Sequence, residues 1–451
     1  MQQPVISLPG LILLAGLLTG SPVVNALEIK PGVGAGLLYT DNARLTEDDE
    51  DDDLILVSYV GVKIDENSGA LRLNAEADLI HLHYTRDTFS DQDYPGLRLT
   101  GGYEQIRGRL DWQVQNYFTQ TLVDSDDGVT PSNIQNTNVF TFGPSIRFPS
   151  TSRQTVTVNP EYRNFYFEDV GDNNQDNNQD NNQQYALSVN WFYRMYPAMD
   201  VSLDGGVAKV VYDNDGRARD YTRSTAQAGL SGTRARSVYS LNLGGTNISR
   251  DNSGSTSGYS GNLTWLYNLT GHSSARVFLS SDITDTGNLL LDSQTNPDDG
   301  DFSNVQESND VVRNSILRLV YRREDATLNT EVWGEFRDLD YKGGEGDLSD
   351  QDDREVREIG ASMDYRVTAS LTAGIFGRYT RTKETDTDRE DNRYSIKGTV
   401  GYQLTRKLRT TLDLRYQNQD SNGGLGDEYS EFSTFVRLAY GFARVGRIPR
   451  R

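Results

Sequence analysis

Residues 393–419 read RYSIKGTVGYQLTRKLRTTLDLRYQNQ, and a single alternation organises them. Tyr394, Ile396, Gly398, Val400, Tyr402 and Leu404 stand opposite Arg393, Ser395, Lys397, Thr399, Gly401 and Gln403. After Thr405-Arg406-Lys407 the alternation resumes, with Leu408, Thr410, Leu412, Leu414 and Tyr416 opposed to Arg409, Thr411, Asp413, Arg415 and Gln417. Successive side chains of a strand point to opposite faces, so the stretch predicts two antiparallel strands joined by a tight turn. One face is apolar with tyrosines at its ends, and the other is charged and hydroxylated. A soluble sheet can also carry such a hairpin. What decides the fold is that the pattern recurs along almost the whole chain.

Working outward from the hairpin, the alternation predicts strands at 27–40, 54–64, from 71 onward, 97–103, 110–118, 136–148, 153–167, 185–196, 201–212 and 221–232. It continues at 237–248, 259–269, 275–283, 311–322, 328–341, 354–367, 371–382 and, after the hairpin, 429–442. Within the third strand the phase slips at Leu79-Ile80, which predicts a bulge. The connections sort into two classes. Short turns such as 65–68, 196–198 and 405–407 alternate with longer polar loops such as 41–53, 169–183, 285–309 and 418–427. A membrane barrel has that order, short turns on the periplasmic side and longer loops outside. The expected architecture is all-β, one antiparallel up-and-down transmembrane barrel of about 20 strands (18–22), with both termini periplasmic.

Composition agrees. Only 35% of the 451 residues are apolar, and a mean hydropathy of -0.63 is low for that much buried core. A barrel removes the difficulty, since only alternate residues need be apolar and the lumen can be polar. Tyrosine, at 25 residues, suits rings placed at membrane–water boundaries. A net charge of -21 excludes nucleic acid as a partner, because its phosphates would be repelled. With no cysteine there is neither a disulfide framework nor a thiolate metal site.

Met1 to Ala26 reads as a secretory signal peptide, with the apolar core Leu11–Leu18 and the small-residue site Val24-Asn25-Ala26, although no Lys or Arg precedes that core. Residues 27–442 then form the barrel, and 443–451 a basic periplasmic tail carrying Arg444, Arg447, Arg450 and Arg451. The final strand, Phe435-Val-Arg-Leu-Ala-Tyr-Gly-Phe442, resembles the terminal signal that the barrel assembly machinery reads, except that nine residues follow it. The Asn/Gln/Asp repeat at 173–183 has nothing apolar to bury and reads as an outer loop.

Candidate chemistry is sparse. His81 and His83 share a strand face and, with Asp87 and Asp91, could form a metal site; the simpler reading is two residues at the outer rim. The acidic runs 47–53 and 298–310 lack the glycine and ligand spacing of a Ca²⁺ loop and read as solvated. Gly101-Gly102, Gly205-Gly206 and Gly244-Gly245 lie inside strands and fit bends of a wall better than phosphate loops. No Ser/His or Asp/His spacing singles out a catalytic set, so neither enzymatic activity nor a cofactor is expected.

The polar face carries more information. Arg147, Arg163 and Arg194, with Glu76 and Asp78, fall on it in the first half of the chain. Arg318, Glu331, Glu335, Arg337, Glu358, Asp364, Arg378, Lys397, Arg409, Asp413, Arg415 and Arg437 follow as candidates to line a pore. An Arg or Lys on the lipid face would cost about 2–4 kcal/mol at mid-membrane, so these charges are expected to face a wet lumen. Mutual pairing that solvates the wall and a role in conduction are compatible.

The opening of the mature chain, Pro31-Gly32 and then Leu38-Tyr39-Thr40-Asp41-Asn42, together with the layout of Tyr-rich strands over 27–442, resembles the β-barrel porins found with exopolysaccharide and exosortase (PEP-CTERM) systems. The resemblance implies an outer-membrane conduit serving polysaccharide export, and carries over no functional residue. Expected partners are outer-membrane lipid and lipopolysaccharide, and a polysaccharide or small hydrophilic solutes. The competing expectation is a plugged, non-conducting surface scaffold whose acidic loops bind ligands or cations.

Overall fold

The computed structural model describes residues 27–48, 50–124, 128–168, 181–213, 220–251, 254–295, 311–342, 353–385, 387–422 and 428–442. Residues 1–26, read from the sequence as a signal peptide, the basic tail 443–451, the run 298–310 and most of the Asn/Gln-rich loop lie outside the described residues.

The alternating segments become twenty strands of one sheet. They are β1 Glu28–Thr40, β2 Asp53–Ser68, β3 Leu71–Tyr84, β4 Gln92–Ile106, β5 Leu110–Leu122, β6 Ile134–Thr151 and β7 Gln154–Phe167. Next come β8 Asn182–Tyr196, β9 Met199–Tyr212, β10 Tyr221–Arg234, β11 Ser237–Arg250, β12 Ser255–Asn268, β13 Ser273–Asp285 and β14 Val311–Glu324. The last six are β15 Leu328–Lys342, β16 Arg354–Arg366, β17 Leu371–Glu384, β18 Glu390–Gln403, β19 Leu408–Ser421 and β20 Tyr429–Gly441. Each strand pairs antiparallel with its sequence neighbours. β20 returns to β1 in the register Gly441↔Gly32 to Ser433↔Thr40, which closes the barrel and leaves no edge. At the seam only glycine fits Gly32, where a Cβ would fall 1.5 Å from the Phe442 carbonyl oxygen.

Register assigns the two faces. In the founding hairpin Ile396↔Tyr416, Gly398↔Leu414 and Val400↔Leu412 share one face, and Lys397↔Arg415 and Thr399↔Asp413 the other. The apolar set is solvent-accessible, with Ile396 at 54% and Val400 at 45% exposure, as an outward, lipid-facing surface must be. Tyr394 and Tyr402 bracket it eight positions apart. That is ~26 Å along a strand and about 20 Å along the barrel axis at a 40° tilt, close to the apolar band height of known barrels.

The outward face changes character past that band. On β17 it runs Leu371, Ala373, Ile375, Gly377 and Tyr379, then Arg381 and Lys383; on β16 it runs Tyr365, Met363, Ala361 and Ile359, then Arg357 and Glu355. These outward charges pair locally, Arg381 with Glu390 at 2.5 Å and Arg357 with Glu355 at 2.9 Å. The strands therefore continue beyond the apolar band at the long-loop end.

This continuation corrects the expected bulge at Leu79-Ile80. Pairing there is uninterrupted on both sides of β3, Val60↔Leu79 and Tyr59↔Ile80 toward β2 and Leu79↔Pro95 and Ile80↔Tyr94 toward β4. What switches is the environment: beyond the apolar band His81 and His83 face outward into water, while Ile80, Leu82 and Tyr84 turn inward. There they pack with Leu38, Ile55, Val57, Tyr59, Tyr94 and Phe435. Real register shifts lie elsewhere, at Glu104/Ile106, Pro149/Thr151 and Arg194/Tyr196, all at short-turn ends. The acidic run 47–53 also differs from expectation at its end. Asp53 is the first residue of β2, fully buried, and accepts a hydrogen bond from the Arg86 amide at 3.1 Å.

Candidate functional site

Every charged residue expected to face inward lies on the enclosed face. Arg318↔Glu335↔Glu358 form one row across β14, β15 and β16, and Arg322↔Glu331 lie two inward rows below, past Val320↔Trp333. Arg337 sits opposite Ile316, Asp364 opposite Gly374, and Arg378 opposite Gly360 and Ser395. Lys397, Arg409, Asp413, Arg415 and Arg437 complete the wall over β18, β19 and β20. Arg147, Arg163 and Arg194 share the same face further round.

These residues make a distributed lining, and most act as pairs. Glu335 binds Arg337 at 2.9 Å and Arg318 at 3.6 Å, and Arg322 binds Glu331 at 2.5 Å. Arg437 binds Asp413 at 3.1 Å, and Glu358 accepts a hydrogen bond from the Trp333 indole at 2.6 Å. Arg415 differs from Arg409. It binds Glu431 at 2.9 Å, and Glu431 is buried beside the seam, accepting also from Thr40 Oγ1 at 2.6 Å and Gln417 Nε2 at 2.8 Å. A buried carboxylate with three donors holds β1, β19 and β20 together, so Arg415 serves the wall. Arg409 is exposed and reaches only the Thr372 hydroxyl, at 3.3 Å.

The loop 285–309, read from the sequence as a long polar connection, contains a helix, α1, at Thr286–Thr295. Asp285 caps it, accepting from the Asn288 amide at 2.9 Å and the Asn288 side chain at 2.6 Å. Tyr221 on β10 donates its hydroxyl to the same carboxylate at 2.6 Å. The reason α1 turns inward starts in the sheet. β12 and β13 stay paired only as far as Gly261↔Ser281, whereas β13 and β14 continue to Asp285↔Val311. The outer end of the β13–β14 hairpin thus leaves the wall and enters the lumen, where Ile283 and Val311 pack against Val210, Tyr212, Tyr221 and Ile248.

From there α1 runs as a chord across the lumen. Leu290 is buried against Tyr117, Val139, Phe165 and Phe167 of β5, β6 and β7. Leu289 packs against Val312, Leu339 and Tyr341 on the other side. Arg163 Nη1 donates to Asn288 Oδ1 at 2.7 Å, and Gly287 lies so close to the Phe165 ring that a Cβ would meet it at 2.8 Å. Residues 286–295 therefore narrow the lumen. The sequence signal was Leu289-Leu290-Leu291, three apolar residues in a polar loop.

His81 and His83 do not converge. Each takes a separate acid, His81 with Asp93 and His83 with Asp91, both at 2.9 Å. Among the described residues no group of three or more His, Asp or Glu side chains is placed to hold a metal.

Comparison with known proteins follows the same lines. Residues 354–440, which span β16 to β20, match the family model described as "Putative beta-barrel porin 2". Among solved structures the chain is similar to the FrpB iron transporter of Neisseria meningitidis, at 8% identity over 92% of this chain and 81% of that chain, with a TM-score of 0.50. It also aligns with OccK2 (OpdF) of Pseudomonas aeruginosa, at 9% identity over 92% of this chain and 98% of that chain, TM-score 0.40. No curated protein sequence matches it. At these identities the likeness is one of fold, that of Gram-negative outer-membrane barrels of the porin or transporter type.

Proposed function

We propose that the protein is a porin-like outer-membrane conduit for hydrophilic solutes whose bore is set by the infolded β13–β14 hairpin and α1. The observation that carries this reading is a closed wall whose inner face, at the level of the apolar band, carries charged and hydroxylated side chains on most of its strands. Its one infolded element among the described residues is docked by side chains rather than built as a separate domain. Sheets of 16–18 strands already leave an aqueous channel in porins, and this wall has twenty. The short-turn end and both termini are taken to be periplasmic, with lipid and lipopolysaccharide around the apolar band. Polysaccharide export is the specific use that the resemblance to exopolysaccharide-associated porins suggests. The reading assigns transport and no catalysis.

A second reading, a non-conducting scaffold, is favoured by the four apolar clusters at the long-loop end, two of which hold α1. Purified protein in planar bilayers decides between them. The conduit gives stable conductance that rises when residues 286–310 are replaced by a short linker. Absence of conductance even with that replacement identifies the scaffold.

A further inference from the structure

Below α1, on the inner face of β12 to β15, a recess of ≈ 190 Å³ opens into the lumen. We propose that it is a binding subsite for a small hydroxylated carboxylate, with Arg276 as the residue that takes the carboxylate. The proposal deepens the conduit reading by naming a solute class, and rests on that reading for its transport role.

The charges around the recess do not balance. Arg276, Arg318, Arg322 and Arg337 line it with only Glu331 and Glu335 as acids. Adding Glu358 from the next strand still leaves one guanidinium in excess. Position identifies which one. Glu331 and Glu335, both on β15, engage Arg318, Arg322 and Arg337, and Glu358 on β16 accepts from the Trp333 indole. Arg276 stands on β13, opposite Leu266 and Val320, with all of β14 between it and the nearest carboxylate. Among the described residues its guanidinium has no ion pair and no hydrogen bond, and it is exposed to the lumen.

The rest of the recess fits an organic anion better than a bare ion. Thr264 on β12 and Ser274 on β13 line it with neutral hydroxyls suited to solute hydroxyls. Phe278, Leu266 and Val320 supply an apolar floor for carbon. A guanidinium offers two parallel N–H donors that match a carboxylate, so this geometry prefers a carboxylate to chloride.

Calorimetric titration of the folded protein in detergent with sodium gluconate, and with uncharged sorbitol, tests binding without requiring conduction. Gluconate is expected to bind and sorbitol to bind at least tenfold more weakly. Arg276→Gln should weaken gluconate at least tenfold, and Arg276→Lys should weaken it less, since the charge remains without the planar fork. Arg147→Gln, an inward arginine on β6, should change gluconate binding by less than twofold. Equal losses in the Arg276 and Arg147 variants, or equal binding of sorbitol and gluconate, overturn the subsite in favour of general lumen potential. Bilayer recording then separates the two readings: gluconate binding without any conductance would fail the conduit and leave the subsite standing.

Discussion

Replacing Leu290 by alanine tests whether α1 is a docked element that sets the bore. Leu290 is 1% exposed and its contacts come from three different strands, so the site cannot collapse onto the smaller side chain without moving the wall. Leu→Ala at such positions costs about 3 kcal/mol. Because α1 contributes to the lumen rather than to the wall, that loss should fall on docking and leave barrel closure alone. At about 1.4 kcal/mol per tenfold, the undocked population should rise roughly a hundredfold. The chain contains no cysteine, so Val139→Cys, which lies under Leu290, gives a single reporter thiol. Its maleimide labelling rate should rise about a hundredfold in the Leu290→Ala background, and single-channel records should show more frequent visits to a higher conductance. Heat-modifiable migration should be unchanged, which shows that the wall persists. Labelling within twofold of the parent, in a folded barrel, would refute the docking argument.

Other perturbations separate the parts. Asp285→Ala removes the helix cap and the Tyr221 acceptor together and should undock α1 by about 2 kcal/mol, whereas Asp285→Asn keeps the cap and should cost less than half as much by the same labelling assay. Arg409→Gln should shift reversal potentials in a salt gradient toward cations without changing thermal stability. Arg415→Gln should instead lower the unfolding midpoint, because it strips a charged partner from buried Glu431. At the rim, the hydrogen bond from His83 holds the Asp91 carboxyl below its ordinary value. That contact stabilises the β3–β4 connection above the ordinary carboxylate range and is lost as pH falls through the depressed value. His83→Ala should therefore raise the Asp91 pKa, read by carbon-detected NMR, and an unchanged value would exclude the contact.

The barrel was legible because its rule is local. An inward Lys397 and an outward Ile396 are neighbours in the chain, and alternation reports both without knowledge of the partner strand. Loop lengths reported closure for the same reason. Three features escaped. The switch at Leu79-Ile80 reads as a defect if one environment is assumed for the whole strand; it is an intact strand crossing from lipid to water, and the outward charges Arg381, Lys383 and Arg357 mark the same level on other strands. Leu289-Leu290-Leu291 marked something to bury in the 285–309 loop, but its partners on β5, β6 and β7 lie more than a hundred residues earlier, and no local pattern names them. Arg276 escaped too, since being unpaired is a property of neighbours on β14 and β15.

These features divide the lumen by height, and the division has a physical cause. Within the apolar band the outer face must be hydrophobic, so the chain can place its polar residues only inside, and the wall there is wet and charged. Past the band the outer face meets water and is free to be polar, as Arg381 and Lys383 show. Apolar residues can then move inside, where Ile80, Leu82, Tyr84, Phe165 and Ile283 hold loops and α1 in place. On the conduit reading, discrimination by charge thus belongs to the lower level and control of the bore to the upper one, on different residues of the same strands. Changing Arg276 should alter which solute binds without altering how often α1 lifts, and changing Leu290 should do the reverse. The double variant should show the two effects added, because the sites share no side chain and contact different strands.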